Sequence, residues 1–104
     1  MKEKLNTFKV LDCSTGHGTK EDMDILSRQA KMLHGPTMQD IIVYEYPEGF
    51  WWYVDADSTN ASLRRIGLSA SICRVFQAAR RAGCKYINLD CDGAEYSQFK
   101  HYEW

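Results

Sequence analysis

The sequence has no long hydrophobic run, and its 104 residues include only two prolines. No apolar stretch approaches the roughly 18 residues that span a bilayer, and Met1–Leu5 lacks the apolar segment of a signal peptide. Charges of the two signs nearly balance, with thirteen Lys and Arg against fourteen Asp and Glu. These features predict a cytoplasmic protein, and they exclude a duplex-DNA binder that relies on a strongly basic net charge.

Motifs for cofactors and metals are also missing. The segment Gly16-His17-Gly18 lacks the Gly-Lys-Ser/Thr of a phosphate-binding loop. The spacings of the four cysteines, 60, 11 and 7 residues, match no zinc pattern. In a chain without an export signal, such cysteines are expected to be buried, reduced thiols. The sequence therefore predicts neither a bound cofactor nor a bound metal.

What is present favours one compact domain over residues 1–104, since 44% of the residues are apolar and 12% are aromatic. Hydrophobic periodicity and turn residues predict the order β-α-β-β-α-β, with a hairpin closed at Pro47-Glu48-Gly49. The predicted elements are strands over 8–13, 40–46, 50–55 and 84–91, a helix from Thr19 to Gly35-Pro36, a helical turn over 63–67 and a helix over 69–82.

This order predicts an α+β two-layer sandwich, either ferredoxin-like or a related mixed four-stranded sheet with two helices on one face. Because side chains alternate along a strand, Trp51 and Tyr53 must face away from Phe50, Trp52 and Val54. The helices cover only one face, so one of these sets is expected on the open face, unless the aromatic tail after Asp92-Gly93 packs back over it. Exposed Trp and Tyr are typical anchors of interfaces.

Charge is segregated along the chain. Residues 40–57 contain five acids and no base, whereas residues 61–86 contain six bases and no acid. Base stacking normally works inside a positive groove, so the acidic hairpin disfavours nucleic acid and favours a protein partner, with a homodimer as a further possibility. The predicted partner-binding residues are Tyr44, Tyr46, Trp51, Trp52, Tyr53, Glu48 and Asp55.

An enzymatic alternative uses Asp12, His17, Asp90 and Asp92. These residues lie at or just beyond two predicted strand ends, and such a set could bind a divalent metal or act as base and acid in a small hydrolase or nuclease. The arrangement requires the first and last strands to run parallel, so that their ends meet. The simpler role of Asp12 and Asp90 is to bond backbone amides in turns.

Four segments resemble a bacterial domain family of unknown function, whose members are small proteins encoded on plasmids, prophages and integrative elements. They are Leu11–Asp22, Ala78–Ile87, Asp90–Gly93 and Tyr102–Trp104. The family brings no established activity. What the resemblance implies is context, since accessory proteins of mobile elements commonly engage host machinery. The expected function is a non-enzymatic binding protein acting on a defence or nucleic-acid-handling complex, such as an anti-CRISPR-like inhibitor.

Overall fold

A computed structural model describes residues 2–32 and 40–104. It contains a 3-10 turn at Thr15–His17 and seven larger elements, which are β1 (Lys9–Ser14), α1 (Lys20–Met32), β2 (Val43–Tyr46), β3 (Gly49–Tyr53), α2 (Asn60–Arg65), α3 (Ala70–Arg81) and β4 (Cys84–Asp90). Within these described ranges, no helix is long and apolar enough to cross a membrane. The predicted end of the first helix at Gly35-Pro36 lies outside the described residues.

The four strands form one mixed sheet in the order β1-β4-β3-β2. β1 pairs with β4 in parallel, whereas the β4–β3 and β3–β2 pairs are antiparallel. The α+β prediction is confirmed, and the parallel pair makes this the mixed sheet rather than the ferredoxin-like arrangement. Because β1 and β4 run in the same direction, Ser14 and Asp90 are partners at their shared carboxyl end.

The helices begin at capped residues, and one buried carboxylate connects two of these starts. Thr19 Oγ1 accepts the N–H of Asp22, and Asp22 Oδ2 accepts the N–H of Thr19, which forms a capping box at α1. Asp22 also accepts the N–H and the hydroxyl of Ser69, the N-cap of α3. A second capping box joins Thr59 and Ser62 at the start of α2. The helical turn predicted over 63–67 is therefore part of a short helix, Asn60–Arg65, which brings the number of helices described to three.

The core lies between the helices and one face of the sheet. α1 packs on β2, α3 packs on β4, and α2 packs on α3. Trp52 is 0% exposed and contacts Phe76 of α3 with ring centroids 4.9 Å apart. Burying an indole of this size contributes about 4–6 kcal/mol at ~25 cal per Å². The sheet residues of the core are Cys13, Val43, Phe50, Trp52, Ile87 and Leu89.

The C-terminal tail packs back onto the domain. The backbone N–H of Ser14 donates to the carbonyl of Ala94, at 2.8 Å. The indole N–H of Trp104 donates to the carbonyl of Gly18, and the hydroxyls of Tyr102 and Ser71 are 2.6 Å apart. These bonds hold the tail against the 3-10 turn and the start of α3. The tail therefore does not cover the middle of the sheet face that points away from the helices.

Candidate binding face of the sheet

The side of the sheet that faces away from the helices is here called the open face. Strand register arranges its side chains in rows across the four strands. One row joins Tyr44, Trp51, Asn88 and Asp12 as successive partners. The next rows contain Tyr46, Gly49, Asp90 and Ser14 on one side, and Tyr53, Tyr86 and Val10 on the other. The face therefore combines aromatic side chains with carboxylates.

Tyr86 is the centre of the aromatic part of the open face. Its ring centroid lies 5.9 Å from Phe8, 5.9 Å from Trp51 and 5.6 Å from Tyr53, all within the range of favourable aromatic contacts. Three large side chains of this surface remain exposed: Trp51 at 38%, Tyr44 at 46% and Phe8 at 55%. These five residues form a continuous aromatic surface, here called the aromatic cluster.

A hydrogen-bonded network lies beside the aromatic cluster. The hydroxyl of Tyr46 donates to Asp90 Oδ2 at 2.5 Å, and Asn88 Nδ2 donates to the Tyr46 oxygen at 2.8 Å. The N–H of Asp92 donates to Asp90 Oδ1 at 2.8 Å. The pKa of Asp90 is lowered mainly by the hydrogen bond from Tyr46 and, to a smaller extent, by the bond from the Asp92 N–H. The pKa of Tyr46 is raised mainly by burial and, to a smaller extent, by its bond to Asp90. The network therefore holds an anionic Asp90 in place.

Charge is unevenly distributed along the open face. Four carboxylates lie at or near the end where β1 and β4 finish, from Asp12, Glu48, Asp90 and Asp92, and three of these residues are exposed. At the other end, the Lys85 ammonium lies 4.7 Å from the centroid of the Phe8 ring. A ligand on this face would therefore meet aromatic rings at the centre and negative charge at one end.

Most of the predicted aromatic interface lies on the open face, and one residue does not. Tyr44, Trp51 and Tyr53 lie there, and Tyr46 contributes its hydroxyl to the network. The prediction for Trp52 is wrong, because strand alternation buries its indole in the core. Sequence alone could not decide which of the two alternating sets the helices cover.

The predicted acidic residues divide in a similar way. Glu48 is exposed in the hairpin turn. Asp55 is half-exposed and accepts the N–H of Ser58, which closes the loop after β3, so its place in an interface stays a prediction. Glu45 points to the helix side, where it accepts the hydroxyl of Ser27. The negative charge of the open face thus comes mainly from the ends of β1 and β4, outside the hairpin.

The alternative catalytic set is not assembled. His17 is 1% exposed, its Nε2 accepts the N–H of Tyr96, and its Nδ1 donates to the carbonyl of Lys100, both at 2.9 Å. With both nitrogens engaged, the ring holds the tail and has no atom left to bind a metal or transfer a proton. Asp12 is level with Asn88 on the open face, one row away from Asp90.

Among the residues that the structure describes, the nearest approach to a metal site is formed by Asp90, Cys91 and Asp92, whose donor atoms lie within 4.8 Å of one another. Cys91 and Asp92 are exposed, and both oxygens of Asp90 already accept hydrogen bonds. This set gives a metal ion little enclosure. Metal-dependent hydrolysis therefore gains no support from the arrangement of these residues.

The four cysteines form no disulfide. Every thiol whose pKa differs from the usual value has a raised pKa, which disfavours the reactive thiolate. Burial, and then the charge of Asp12, raises the pKa of Cys13 to about 12. The pKa of Cys73 is also raised by burial, and that of Cys91 by desolvation and then by nearby carboxylates. A nucleophilic thiol would need a lowered pKa. The prediction of buried thiols is wrong for Cys91, which lies in the exposed turn after β4.

Two residues of the aromatic cluster, Phe8 and Tyr86, are missing from the sequence-based interface. Tyr86 had a readable signal, because Ile87 and Leu89 alternate with Tyr86 and Asn88 along β4. Phe8 precedes β1 and carries no periodicity of its own. Its place in the cluster depends on the pairing of β1 with β4, which no local pattern shows.

The fold and the open face define a small α+β domain with one helix-covered sheet face and one aromatic, acidic face. The chain belongs to the family of unknown function DUF5983, whose C-terminal domain model matches residues 10–104. This match confirms the resemblance to an uncharacterised domain family. No curated protein and no solved structure matches the chain.

Proposed function

We propose that this chain is a non-enzymatic binding protein that docks on a protein partner through its open face. The observation that carries this proposal is the aromatic cluster, which leaves Trp51, Tyr44 and Phe8 between 38% and 55% exposed on one surface. Single exposed apolar side chains are ordinary, but a contiguous aromatic surface is typical of an interaction site. Trp and Tyr are also the residues that most often dominate binding energy.

The aromatic cluster is supported in a way that suits binding. Tyr86 packs against Phe8, Trp51 and Tyr53, so these rings are already restrained before any partner arrives. Restrained side chains lose less conformational entropy on binding than mobile ones. The sheet beneath them is a rigid platform, because Trp51 is backbone-paired on both sides, with Tyr44 and with Asn88.

Charge selects the chemistry of the partner. The carboxylates of Asp12, Glu48 and Asp92 would repel the phosphates of nucleic acid but attract Lys and Arg side chains. The complementary ligand is therefore a protein surface with apolar groups at its centre and basic residues opposite these acids. Such complementarity chiefly increases the association rate and the specificity.

The biological setting of the proposal comes from the resemblance to proteins of plasmids, prophages and integrative elements. A host defence or nucleic-acid-handling complex fits this setting, and such complexes carry basic protein surfaces around their nucleic-acid channels. An aromatic and acidic face that occupies one of these surfaces would act as an anti-CRISPR-like inhibitor by excluding nucleic acid. No catalytic turnover is required for this activity.

The test is affinity capture from a host lysate, followed by measured binding of the purified partner. The protein is compared with a Tyr44→Ala/Trp51→Ala variant of the open face and with a control, Arg28→Ala, at an exposed position on α1. We expect capture by the wild type and the control, and a Kd at least ~30-fold weaker for the double variant.

Equal binding by all three proteins would overturn the proposal. Sedimentation of the protein alone is the second measurement. If a dimer forms and the double variant abolishes it, a second copy of the chain occupies the open face, and the proposed protein partner is wrong. Circular dichroism confirms that each variant is folded.

A further inference from the structure

A groove of about 440 Å³ lies between α2 and α3 on the outer surface of the helix layer, on the side of the molecule away from the open face. Three arginines line it, Arg64 from α2 and Arg74 and Arg81 from α3. All three are exposed. The remaining lining residues are small or polar, namely Asn60, Ala70, Cys73 and Gln77.

The two helices fix the positions of these arginines. Arg74, Gln77 and Arg81 follow the i, i+3, i+7 spacing that places side chains on one face of α3. Two helical turns separate Arg74 from Arg81, about 10 Å along the axis at ~1.5 Å per residue. Gln77 Nε2 donates to Asn60 Oδ1 at 3.2 Å and so connects the two walls of the groove.

The positive charge of the groove is not neutralised. No acid occurs between residues 61 and 86, and within ranges 2–32 and 40–104 none of the three arginines forms an ion pair. Arg64 Nη1 donates to the carbonyl of Leu68 at 3.3 Å, which orients the guanidinium without cancelling its charge. Although the whole chain has a net charge of −1, this groove is locally cationic.

The lining identifies the kind of anion. A protein interface normally needs an aromatic or large aliphatic anchor, and base stacking needs an aromatic ring, but no lining residue provides either. The polar groups of the lining are arginine guanidinium groups and side-chain amides, which commonly donate hydrogen bonds to phosphate oxygens. We propose that the groove binds the phosphodiester backbone of nucleic acid without reading its sequence.

This inference goes beyond the function proposed for the open face and rests on different residues. The argument against nucleic acid applies to the acidic open face, which lies on the side of the sheet away from the helices. With a protein partner on the open face and a nucleic-acid backbone on the helix layer, the domain would bind both components of one complex at once.

The test measures fluorescence anisotropy of labelled single-stranded DNA of mixed sequence over a series of salt concentrations. Three phosphate contacts predict a slope of log K against log salt of about −2, at roughly 0.7 per contact. We expect the Arg74→Gln/Arg81→Gln variant to bind at least ~10-fold more weakly at low salt, with a slope reduced to less than half.

The control variant, Arg28→Gln/Lys31→Gln, removes the same charge from exposed positions on α1 and should bind like the wild type. Absence of DNA binding by the wild type, an unchanged Kd in the groove variant, or an equal loss in the control would overturn the proposal. Poly-glutamate that competes as well as DNA at equal charge would also overturn it, because the ligand would then be an acidic protein.

A last variant separates the two sites. Tyr44→Ala/Trp51→Ala should bind DNA with the wild-type Kd and slope, since its substitutions lie on the opposite layer. If it loses DNA binding, the nucleic acid occupies the open face and both assignments are wrong. If the groove variant retains protein-partner binding while losing DNA, the two functions are independent. Thermal unfolding by circular dichroism verifies that all variants are folded.

Discussion

Trp51 and Trp52 are neighbours on β3, yet they lie in opposite environments. Trp51 is 38% exposed on the open face, with its ring 5.9 Å from that of Tyr86. Trp52 is completely buried, with its ring 4.9 Å from that of Phe76. The pleat of one strand therefore places one indole on the open face and the next in the core.

Alanine substitution should separate these two roles. We expect Trp52→Ala to lower the free energy of unfolding by about 3–5 kcal/mol, because it leaves a cavity in the core. Trp51→Ala should lower it by about 1 kcal/mol or less, since the indole is partly solvated. Urea denaturation measures both values. Equal losses of stability would contradict the placement of these side chains on opposite faces.

Removing the Tyr46 hydroxyl should raise the pKa of Asp90. In the folded protein this pKa is lowered from 3.8, so the carboxylate stabilises the fold at neutral pH and loses that contribution as the pH falls below about 4. In Tyr46→Phe the pKa moves back towards 3.8, and the variant loses less stability over the same acid range. An NMR titration of the Asp90 carboxyl carbon follows the change.

The matched control is Tyr44→Phe on the same strand. The Asp90 pKa should stay at its wild-type value in this variant, because the Tyr44 hydroxyl is not among the causes of the shift. If Tyr46→Phe also left the titration unchanged, the hydrogen bond between Tyr46 and Asp90 would not be the main cause.

His17 should be essential for holding the tail. His17→Ala leaves the partly buried N–H of Tyr96 and the carbonyl of Lys100 without their partner, which should cost about 2–4 kcal/mol. The tail should then become a site of rapid cleavage in limited proteolysis. Glu95→Gln, which removes only the exposed ion pair to His101, should change stability by less than about 1 kcal/mol. Normal protease resistance of His17→Ala would refute the bridging role.

Gly49 should tolerate no side chain. A Cβ at this position would collide with the backbone carbonyl of Leu89 on the adjacent strand, so Gly49→Ala must push β3 away from β4. We expect a loss of more than about 2 kcal/mol in denaturation experiments. Gly83→Ala is the comparison, because its Cβ would meet nothing within 4 Å and only the positive φ opposes it, at about 1–2 kcal/mol. A smaller loss at Gly49 than at Gly83 would contradict the close strand approach.

The elements could be predicted from the sequence because their signals are local. The hairpin turn at Pro47-Glu48-Gly49 and the helix predicted over 69–82 depend on residues a few positions apart, and the structure begins β3 at Gly49 and has α3 over Ala70–Arg81. The aromatic face was also partly predictable, since alternation separates Trp51 from Trp52 whatever the rest of the fold.

What sequence could not provide depends on pairing between distant segments. The neighbours of Trp51 come from β4, and the choice of which face the helices cover determines that Trp52 is buried. His17 has the same limitation, because a histidine between glycines gives no sign that its partners lie about 80 positions later. The arginine groove likewise forms only when α2 and α3 pack together.

The position of β4 also determines when the open face can form. β4 is the last strand along the chain but lies inside the sheet, where it joins β1 to β3. Its pairing with β1 connects Lys9 to Cys84, and such distant contacts form slowly. Tyr86, on which the exposed rings pack, belongs to this strand. During synthesis, then, a ribosome-bound chain lacking β4 cannot form the aromatic cluster, so the proposed binding through the open face must wait until folding of the whole domain is complete.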